Sequence, residues 1–374
     1  MTPRPKRILF LFSDTGGGHR AATEAMIEAI NLEFPGKFDC KMVDFFREYY
    51  PAPWRFAPEI YPTTTKIGVW GLAYRSSDGR GRARALTGLQ YPMLRRGLHR
   101  LVAENPADVI ISVHALVNAM LPRAMRKNPS PFVIVVTDMV STHAFWYDRR
   151  ADLILVPTEP ARERGVKFGV PAGNLRVVGM PVADRFNDPI DAAAWKREQG
   201  WREDLPTALL VGGGDGMGPL KRVAKAINYA KLPLQLAVIC GRNEELQADL
   251  RAVRWQIPAH IYGFTHEMPA FMEAADILIS KAGPGTISEG FIKGLPIILY
   301  SRFVGQEDGN VSYVVDNGAG VWAPRPREVV DTLREWTENP QELRRVAQIS
   351  RSLAHPQASR NIARIIAEQC GVEA

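Results

Sequence analysis

The sequence predicts an α/β protein of two domains, each built on a parallel sheet. Three observations predict it. Short apolar runs alternate with helical patterns from end to end, and that alternation implies parallel strands joined by right-handed crossovers. The 374 residues suit two domains, each large enough to bury a core. Polar, glycine-rich stretches recur directly after the apolar runs, where open α/β sheets bind their ligands.

Ile8–Phe12 predicts the first strand, and Ala22, Ala25, Met26, Ala29 and Ile30 follow at helical spacing. Val109–Val113, Phe132–Thr137, Leu153–Val156 and Leu175–Val178 continue this first series. A second series comprises Ala208–Val211, Leu236–Cys240, Ile261–Tyr262, Ile277–Ser280 and Ile297–Tyr300. Between them the stretch from Asn187 to Asp204 is polar and carries Pro189 and Trp195, which places the junction near residue 185. The expected domains are therefore 1–185 and 186–340. Residues 341–374 read as helices with no strand left to pair, expected to pack back on the first domain.

Segment 45–100 interrupts the pattern. It holds ten aromatic residues, ten basic and three acidic ones, and is rich in Pro and Gly. An insertion of this length in an α/β domain is usually functional or mobile; a long loop with its own small core is the alternative.

Composition narrows the class. Hydrophobic residues make up 46% and charged residues 23%, an ordinary globular balance. No window reaches 18 uninterrupted apolar residues, so no transmembrane helix is expected. Cys40, Cys240 and Cys370 lie far apart without CxxC spacing, which argues against a disulfide framework or a zinc site and suits a reduced cytoplasmic setting. The formal charge of +7 favours an anionic partner, whether nucleic acid, a phosphorylated substrate or an acidic membrane.

Chemistry-bearing residues gather at the predicted strand ends. After the first strand comes Ser13-Asp14-Thr15-Gly16-Gly17-Gly18-His19-Arg20-Ala21, a loop whose glycines let backbone approach a ligand at a helix start. It fits G-x-G-x-x-A, so a dinucleotide enzyme must be weighed, but the acid expected about 20 residues on is met only late, by Asp44. His19 occupies the first turn, where the positive helix end favours neutral imidazole, the form a general base needs. The alternative is an exposed helix-start histidine. His114 ends another strand, and Asp138 ends Phe132–Thr137, followed by His143 and Trp146. Asp138 would orient a base, hold an acceptor hydroxyl or cap the next element.

In the second domain Ala208–Val211 runs into Gly212-Gly213-Gly214-Asp215-Gly216-Met217-Gly218-Pro219, where no register satisfies G-x-G-x-x-G. Cys240-Gly241-Arg242-Asn243 ends the next strand. Ile277–Ser280 enters Lys281-Ala282-Gly283-Pro284-Gly285-Thr286-Ile287-Ser288-Glu289, a strand, glycine loop and helix start suited to a diphosphate but lacking the Gly-Lys-[Ser/Thr] ending of a P-loop. Thr286-x-x-Glu289 also matches a capping box. Gly305-Gln306-Glu307-Asp308-Gly309-Asn310 carries amides and carboxylates fit for a polyol, although Asn310 also reads as a helix cap. No Asp-x-Asp pair occurs, so metal-free handling of a diphosphate by backbone amides and a helix dipole is expected.

Three blocks resemble the monogalactosyldiacylglycerol synthases of glycosyltransferase family 28. They are Ser13–Ala21; Gly212–Pro219 with Ile239–Asn243; and Lys281–Thr286 continuing through Gly294-Leu295-Pro296-Ile297-Ile298-Leu299 to Gly305-Gln306-Glu307, Asn310-Val311 and Tyr313–Gly318. Thr137-Asp138 with His143 and Trp146 fits as well. The match runs along nearly the whole chain. The resemblance implies a GT-B fold, two Rossmann-like domains with parallel sheets facing a central cleft. It implies an inverting transferase moving galactose or glucose from a UDP-sugar to the sn-3 hydroxyl of diacylglycerol. His19 would be the base, with Asp138 the second candidate. The donor would meet Gly17 and Gly18, Gly214 and Arg242, the backbone of Gly263, Phe264 and Thr265 at uracil, Glu289 at the ribose, Gly283, Gly285 and Thr286 at the diphosphate, and Gln306, Glu307 and Asn310 at the hexose. Trp54, Trp70, Arg80, Arg82, Arg84, His143 and Trp146 are expected on the acceptor and membrane side, with anionic lipids as partners. No nucleic acid, cofactor or metal is expected. Plant members carry a transit region, whereas this sequence opens on the first strand, which fits a bacterial cytoplasmic enzyme attached peripherally to the membrane.

Three other readings stand beside this one. They are a transferase of the same fold acting on a polyprenyl-linked sugar, an NAD oxidoreductase, and a non-catalytic nucleotide-sugar or lipid-binding protein. The failed second fingerprint counts against the oxidoreductase.

Overall fold

The computed structural model describes residues 4–14, 17–56, 59, 69–127 and 129–372. The chain forms two compact units. The first comprises Met1–Asp184, Val304–Gln306 and Gln357–Ala374; the second comprises Arg185–Phe303 and Glu307–Pro356.

The first unit is built on six parallel strands: β1 Lys6–Phe12, β2 Phe38–Asp44, β3 Val109–Ser112, β4 Phe132–Val135, β5 Leu153–Val156 and β6 Leu175–Val177. Their order is β2-β1-β3-β4-β5-β6. Side chains alternate across the sheet. Leu9 and Leu11 of β1 enter one core, with Phe45, Leu98 and Trp146. Ile8, Phe10 and Phe12 enter the other, with Met26, Ile30 and Ile362. Burying each such side chain contributes about 1.5–3 kcal/mol, opposed by the chain entropy lost on folding.

The helix Gly18–Glu33 buries Ala22, Ala25, Met26, Ala29 and Ile30, the positions its periodicity marks. The terminal helix Ala358–Gln369 packs into the same core through Ile362, Ala363 and Ile366. Arg360 anchors it with a two-pronged bond to Asp184 (2.8 and 2.6 Å) and a third contact to Glu33. The preceding helix Pro340–Ser352 belongs instead to the second unit. The tail thus divides, where the sequence led us to expect all of it on the first domain.

The second unit repeats the plan with β7 Thr207–Val211, β8 Gln235–Ile239, β9 Ala259–Tyr262, β10 Ile277–Lys281, β11 Ile297–Ser301 and β12 Gly320–Trp322, ordered β12-β11-β10-β7-β8-β9. Two strands escaped the sequence reading, β2 and β12. Both are edge strands. β2 mixes Asp39 and Lys41 with its apolar residues because only part of it is covered, so it lacks a continuous apolar run.

Each sheet has one point where the strand order reverses. In the first unit it lies between β1 and β3, and in the second between β7 and β10. Crevices beyond the carboxyl ends of strands at such points are where open α/β sheets bind ligands.

Segment 45–100 contributes the helices Phe45–Tyr49, Val69–Ser77 and Arg80–Glu104. Phe45, Phe46, Tyr49, Tyr50, Leu94, Leu98 and Leu101 join the main core of the first unit. Four of the segment's ten aromatic residues are therefore core packing.

Candidate active site

In the first unit, the reversal point brings together residues that follow three strands, β1, β3 and β4. Gly17 caps the helix Gly18–Glu33 at φ 78°, a left-handed conformation that glycine adopts without strain. A side chain built on Gly17 or Gly18 would meet nothing within 4 Å, so the loop leaves open space. His19 Nδ1 lies 2.9 Å from Thr137 Oγ1. Its ring sits 4.7 Å from that of His114 and 6.1 Å from that of Trp146. Burial lowers the His19 pKa to about 4, against an opposing backbone hydrogen bond at Val113. Neutral imidazole was expected from the helix end; burial is the larger cause. His114 is pushed well down by burial and then by His19. Its Nδ1 accepts from Leu116 N–H at 3.3 Å, capping the turn that follows β3.

Asp138, 6% exposed, is held from two sides. Trp146 Nε1–H donates to Oδ2 at 2.7 Å, and Gln306 Nε2–H donates to Oδ1 at 2.9 Å. Trp146 is 1% exposed, so its ring presents no face to an acceptor; it orients Asp138 instead. His143 is likewise buried. It stacks on Phe145 (4.5 Å), contacts Ser77 Oγ at 3.1 Å and accepts from Phe145 N–H. Burial lowers its pKa to about 4, with Asp78 opposing. Asp78 ties the same loop down through Ala144 N–H (2.9 Å) and Arg164 (2.8 Å). His143 thus braces the loop that carries Asp138.

Segment 304–306 packs on the helix Val69–Ser77: a side chain on Gly71 would come within 2.9 Å of the Val304 carbonyl. Gln306, expected at a hexose, is engaged with Asp138 across 168 positions of sequence.

In the second unit, the reversal point joins the loops after β7 and β10. The Arg242 guanidinium lies 4.3 Å from the centre of the Phe264 ring and 3.4 Å from Asp215. A side chain on Gly214 would approach Arg242 Nη1 to 3.2 Å, and one on Gly263 would approach Gln247 to 3.1 Å. Gly214, Arg242, Gly263 and Phe264 therefore gather at the ends of β7, β8 and β9. Thr265 Oγ accepts from Glu267 N–H at 3.0 Å.

The helix Pro284–Lys293 starts from Gly283 with no side-chain cap. Thr286 is already inside it, so the capping box with Glu289 does not form. Burial raises Glu289 to about 7, with Arg185 opposing. A side chain on Gly285 would meet nothing within 4 Å, which leaves the helix start open. Glu307 is 3% exposed; its Oε2 accepts from Phe303 N–H at 2.7 Å and its Oε1 pairs with Lys281 at 2.8 Å. Asn310 caps no helix, since Asp308–Asp316 starts from Glu307. Its amide donates to the Ala282 carbonyl at 2.9 Å. Lys281 escaped the sequence reading as a site residue. Its signal was a lysine closing an otherwise apolar strand immediately before a glycine loop.

The expected membrane residues divide. Trp54 packs against the core of the first unit. The side chain of Trp70 lies outside the described residues. Arg80, Arg82 and Arg84 are exposed at the start of the helix Arg80–Glu104. Phe56, an aromatic ring of the same segment expected at the membrane, is exposed (48%), as are Leu72 (74%), Leu89 (76%) and Met93 (59%), apolar side chains that the sequence reading did not single out. Among the described residues no helix is long and apolar enough to cross a membrane, and no group of three or more His, Cys, Asp or Glu is placed to hold a metal ion.

Comparison with known proteins follows this geometry. The family model of monogalactosyldiacylglycerol (MGDG) synthase matches residues 19–182, and that of the glycosyltransferase family 28 C-terminal domain matches residues 207–362. Monogalactosyldiacylglycerol synthase 1 of Arabidopsis thaliana is 35% identical over 95% of this chain and 69% of its own length. The chain belongs to the MGDG synthase family. A second relative in that family, the probable monogalactosyldiacylglycerol synthase 2 of Oryza sativa subsp. japonica, is 37% identical over 96% of this chain and 79% of its own length. Among solved structures, MurG of Acinetobacter baumannii aligns with a TM-score of 0.62 at 17% identity, covering 97% of this chain and 100% of its own. HepE of Anabaena, in complex with UDP-glucose, aligns with a TM-score of 0.58 at 13% identity, covering 97% and 100%. These likenesses show the fold, which is GT-B, as its twin six-stranded parallel sheets require.

Proposed function

We propose that this MGDG synthase family member transfers a hexose from a UDP-sugar to the sn-3 hydroxyl of diacylglycerol, with inversion, giving a β-glycolipid. The observation that carries this reading is the 35% identity to a monogalactosyldiacylglycerol synthase over 95% of the chain. Galactose is the proposed hexose, because the relatives are named for a galactosyl product.

In the proposed mechanism the second unit holds the nucleotide. The free N–H groups at the start of the helix Pro284–Lys293 meet the diphosphate, and Glu289 meets the ribose. In the first unit His19 takes the proton of the acceptor hydroxyl; its low pKa keeps it neutral at physiological pH, and Thr137 and Val113 fix its ring. Asp138 is the second candidate, held ready by Trp146 and Gln306. The acceptor oxygen attacks the anomeric carbon opposite UDP, and the charge developing on the diphosphate is stabilised at the helix start. No metal is required in this scheme. The acceptor is membrane-resident, so the enzyme attaches peripherally to an anionic bilayer through Phe56, Leu72, Leu89 and Met93 and the neighbouring arginines.

The test offers diacylglycerol and, separately, a polyprenyl-linked sugar, each with UDP-galactose and with UDP-glucose, and identifies the product. A β-galactosyl lipid is expected. No glycolipid from either donor would overturn the reading, and a product formed only on a polyprenyl-linked sugar would transfer it to the other acceptor class.

A further inference from the structure

A metal-free transferase must still counter the charge that gathers on its leaving diphosphate, and Lys281 stands where a cation would do so. It is the last residue of β10, and β10 pairs with β7 at the reversal point of the second sheet. Its side chain reaches across the mouths of both glycine loops. A side chain built on Gly283, at the helix start, would lie 2.8 Å from Lys281 Nζ, and one built on Gly213 would lie 3.4 Å from Lys281 Cε. The ammonium is held by Glu307 at 2.8 Å and rests 4.8 Å from the centre of the Phe303 ring. Glu307 is itself pinned by Phe303 N–H. The lysine keeps 20% of its side chain exposed while the glutamate keeps 4%. The pair is therefore a cation held by a buried anion, and the lysine is the more exposed member of the two.

A second observation points to a ligand at the same place. Asn310, 1% exposed, donates to the carbonyl of Ala282, between Lys281 and Gly283. Its Oδ1 is buried and has no hydrogen-bond partner among the described residues. A buried acceptor without a donor is costly and calls for an explanation; a hydroxyl of the donor sugar, not its phosphate, carries the hydrogen that would satisfy it beside the ammonium.

We propose that Lys281 binds the β-phosphate of the donor and stabilises it as the leaving group, a role that rests on the UDP-sugar reading above. During transfer the bond from the acceptor oxygen to the anomeric carbon forms. The bond from that carbon to the β-phosphate oxygen breaks, its electron pair leaving with UDP. The acceptor proton goes to the base, and Lys281 keeps its own, acting as a charge-assisted donor. Glu307 positions the ammonium.

The experiment titrates the full chain with UDP and with UMP by calorimetry, as wild type, as Lys281→Met and as Lys281→Met combined with Glu307→Gln. The double variant leaves no buried carboxylate unpaired and covers the case in which the single variant does not fold. In the wild type UDP binds about tenfold or more tightly than UMP, as a charge-assisted contact to the second phosphate predicts. Either variant loses most of that preference while its UMP affinity changes less than about threefold. UDP affinity unchanged in the folded variants, or UDP and UMP weakened alike, overturns the inference, as does a wild type that shows no preference. A wild type that binds neither nucleotide overturns the donor reading itself, a result distinct from any of these.

Discussion

Asp138 and its two donors allow the structural and chemical roles of one carboxylate to be separated. Trp146→Phe removes the 2.7 Å bond to Oδ2 inside a region where Trp146 is 1% and Asp138 6% exposed. Losing a hydrogen bond to a charged, buried group costs about 1.5–3 kcal/mol. The smaller ring leaves a void that adds about 1 kcal/mol. The first unit should therefore lose about 2.5–4 kcal/mol of stability. Asp138→Asn is gentler. The Asn oxygen still accepts from Trp146, and the Asn amide then faces Gln306, whose own amide turns over to accept. One neutral bond replaces one charge-assisted bond, so the expected loss is about 1 kcal/mol. The assays are urea unfolding followed by circular dichroism and steady-state kinetics. If Asp138 serves the chemistry, Asp138→Asn lowers kcat far more than its small stability loss, while Trp146→Phe lowers stability more than kcat. A Trp146→Phe protein within about 0.5 kcal/mol of wild type would refute the clamp. Equal kcat for wild type and Asp138→Asn would remove Asp138 from the chemistry.

Further outcomes are expected. His19→Ala lowers kcat by about 10²–10⁴ with little change in KM for the donor, and near-normal kcat would place the base elsewhere. Because burial lowers His19 from 6.5 to about 4, the base stays unprotonated down to that pH; its rate limb appears near pH 4, and a limb at 6.5 would contradict the burial argument. Glu289 is raised from 4.5 to about 7, so its carboxylate is lost as pH falls through 7; KM for the UDP-sugar should rise there in the wild type, and Glu289→Gln should abolish that dependence. Exhaustive EDTA treatment should leave turnover intact, whereas full loss restored by magnesium or manganese would show a metal requirement. Vesicle co-sedimentation should require anionic lipid, weaken with salt, and drop on changing Leu72, Leu89 and Met93 to Ser; equal binding to neutral vesicles would remove the electrostatic part.

The two-sheet architecture was legible because buried parallel strands write continuous apolar runs, and ten of the twelve strands did so. Two edge strands stayed hidden for different reasons: β2 is broken by Asp39 and Lys41, and β12 is only three residues long, Gly320–Trp322. The loops at the strand ends were legible for a related reason, since glycine and polar residues concentrate where a chain stops packing. The direction of the His19 shift was legible too, but its cause was not. A helix start is visible in sequence, whereas the enclosure of the ring by His114, Trp146 and Thr137 is a tertiary event.

Sequence position could not reveal which polar groups already have partners. Gln306, Glu307 and Asn310 all follow β11 and all carry groups suited to a sugar. Yet one is bonded to Asp138, one to Lys281 and Phe303, and one to Ala282. Two of those partnerships differ in where they lie. Glu307 spends one oxygen on each partner, so a hexose hydroxyl reaching it competes with Lys281 or shares an oxygen with it. Gln306 gives one N–H to Asp138, a bond within the first unit, whereas the Glu307 pair lies within the second.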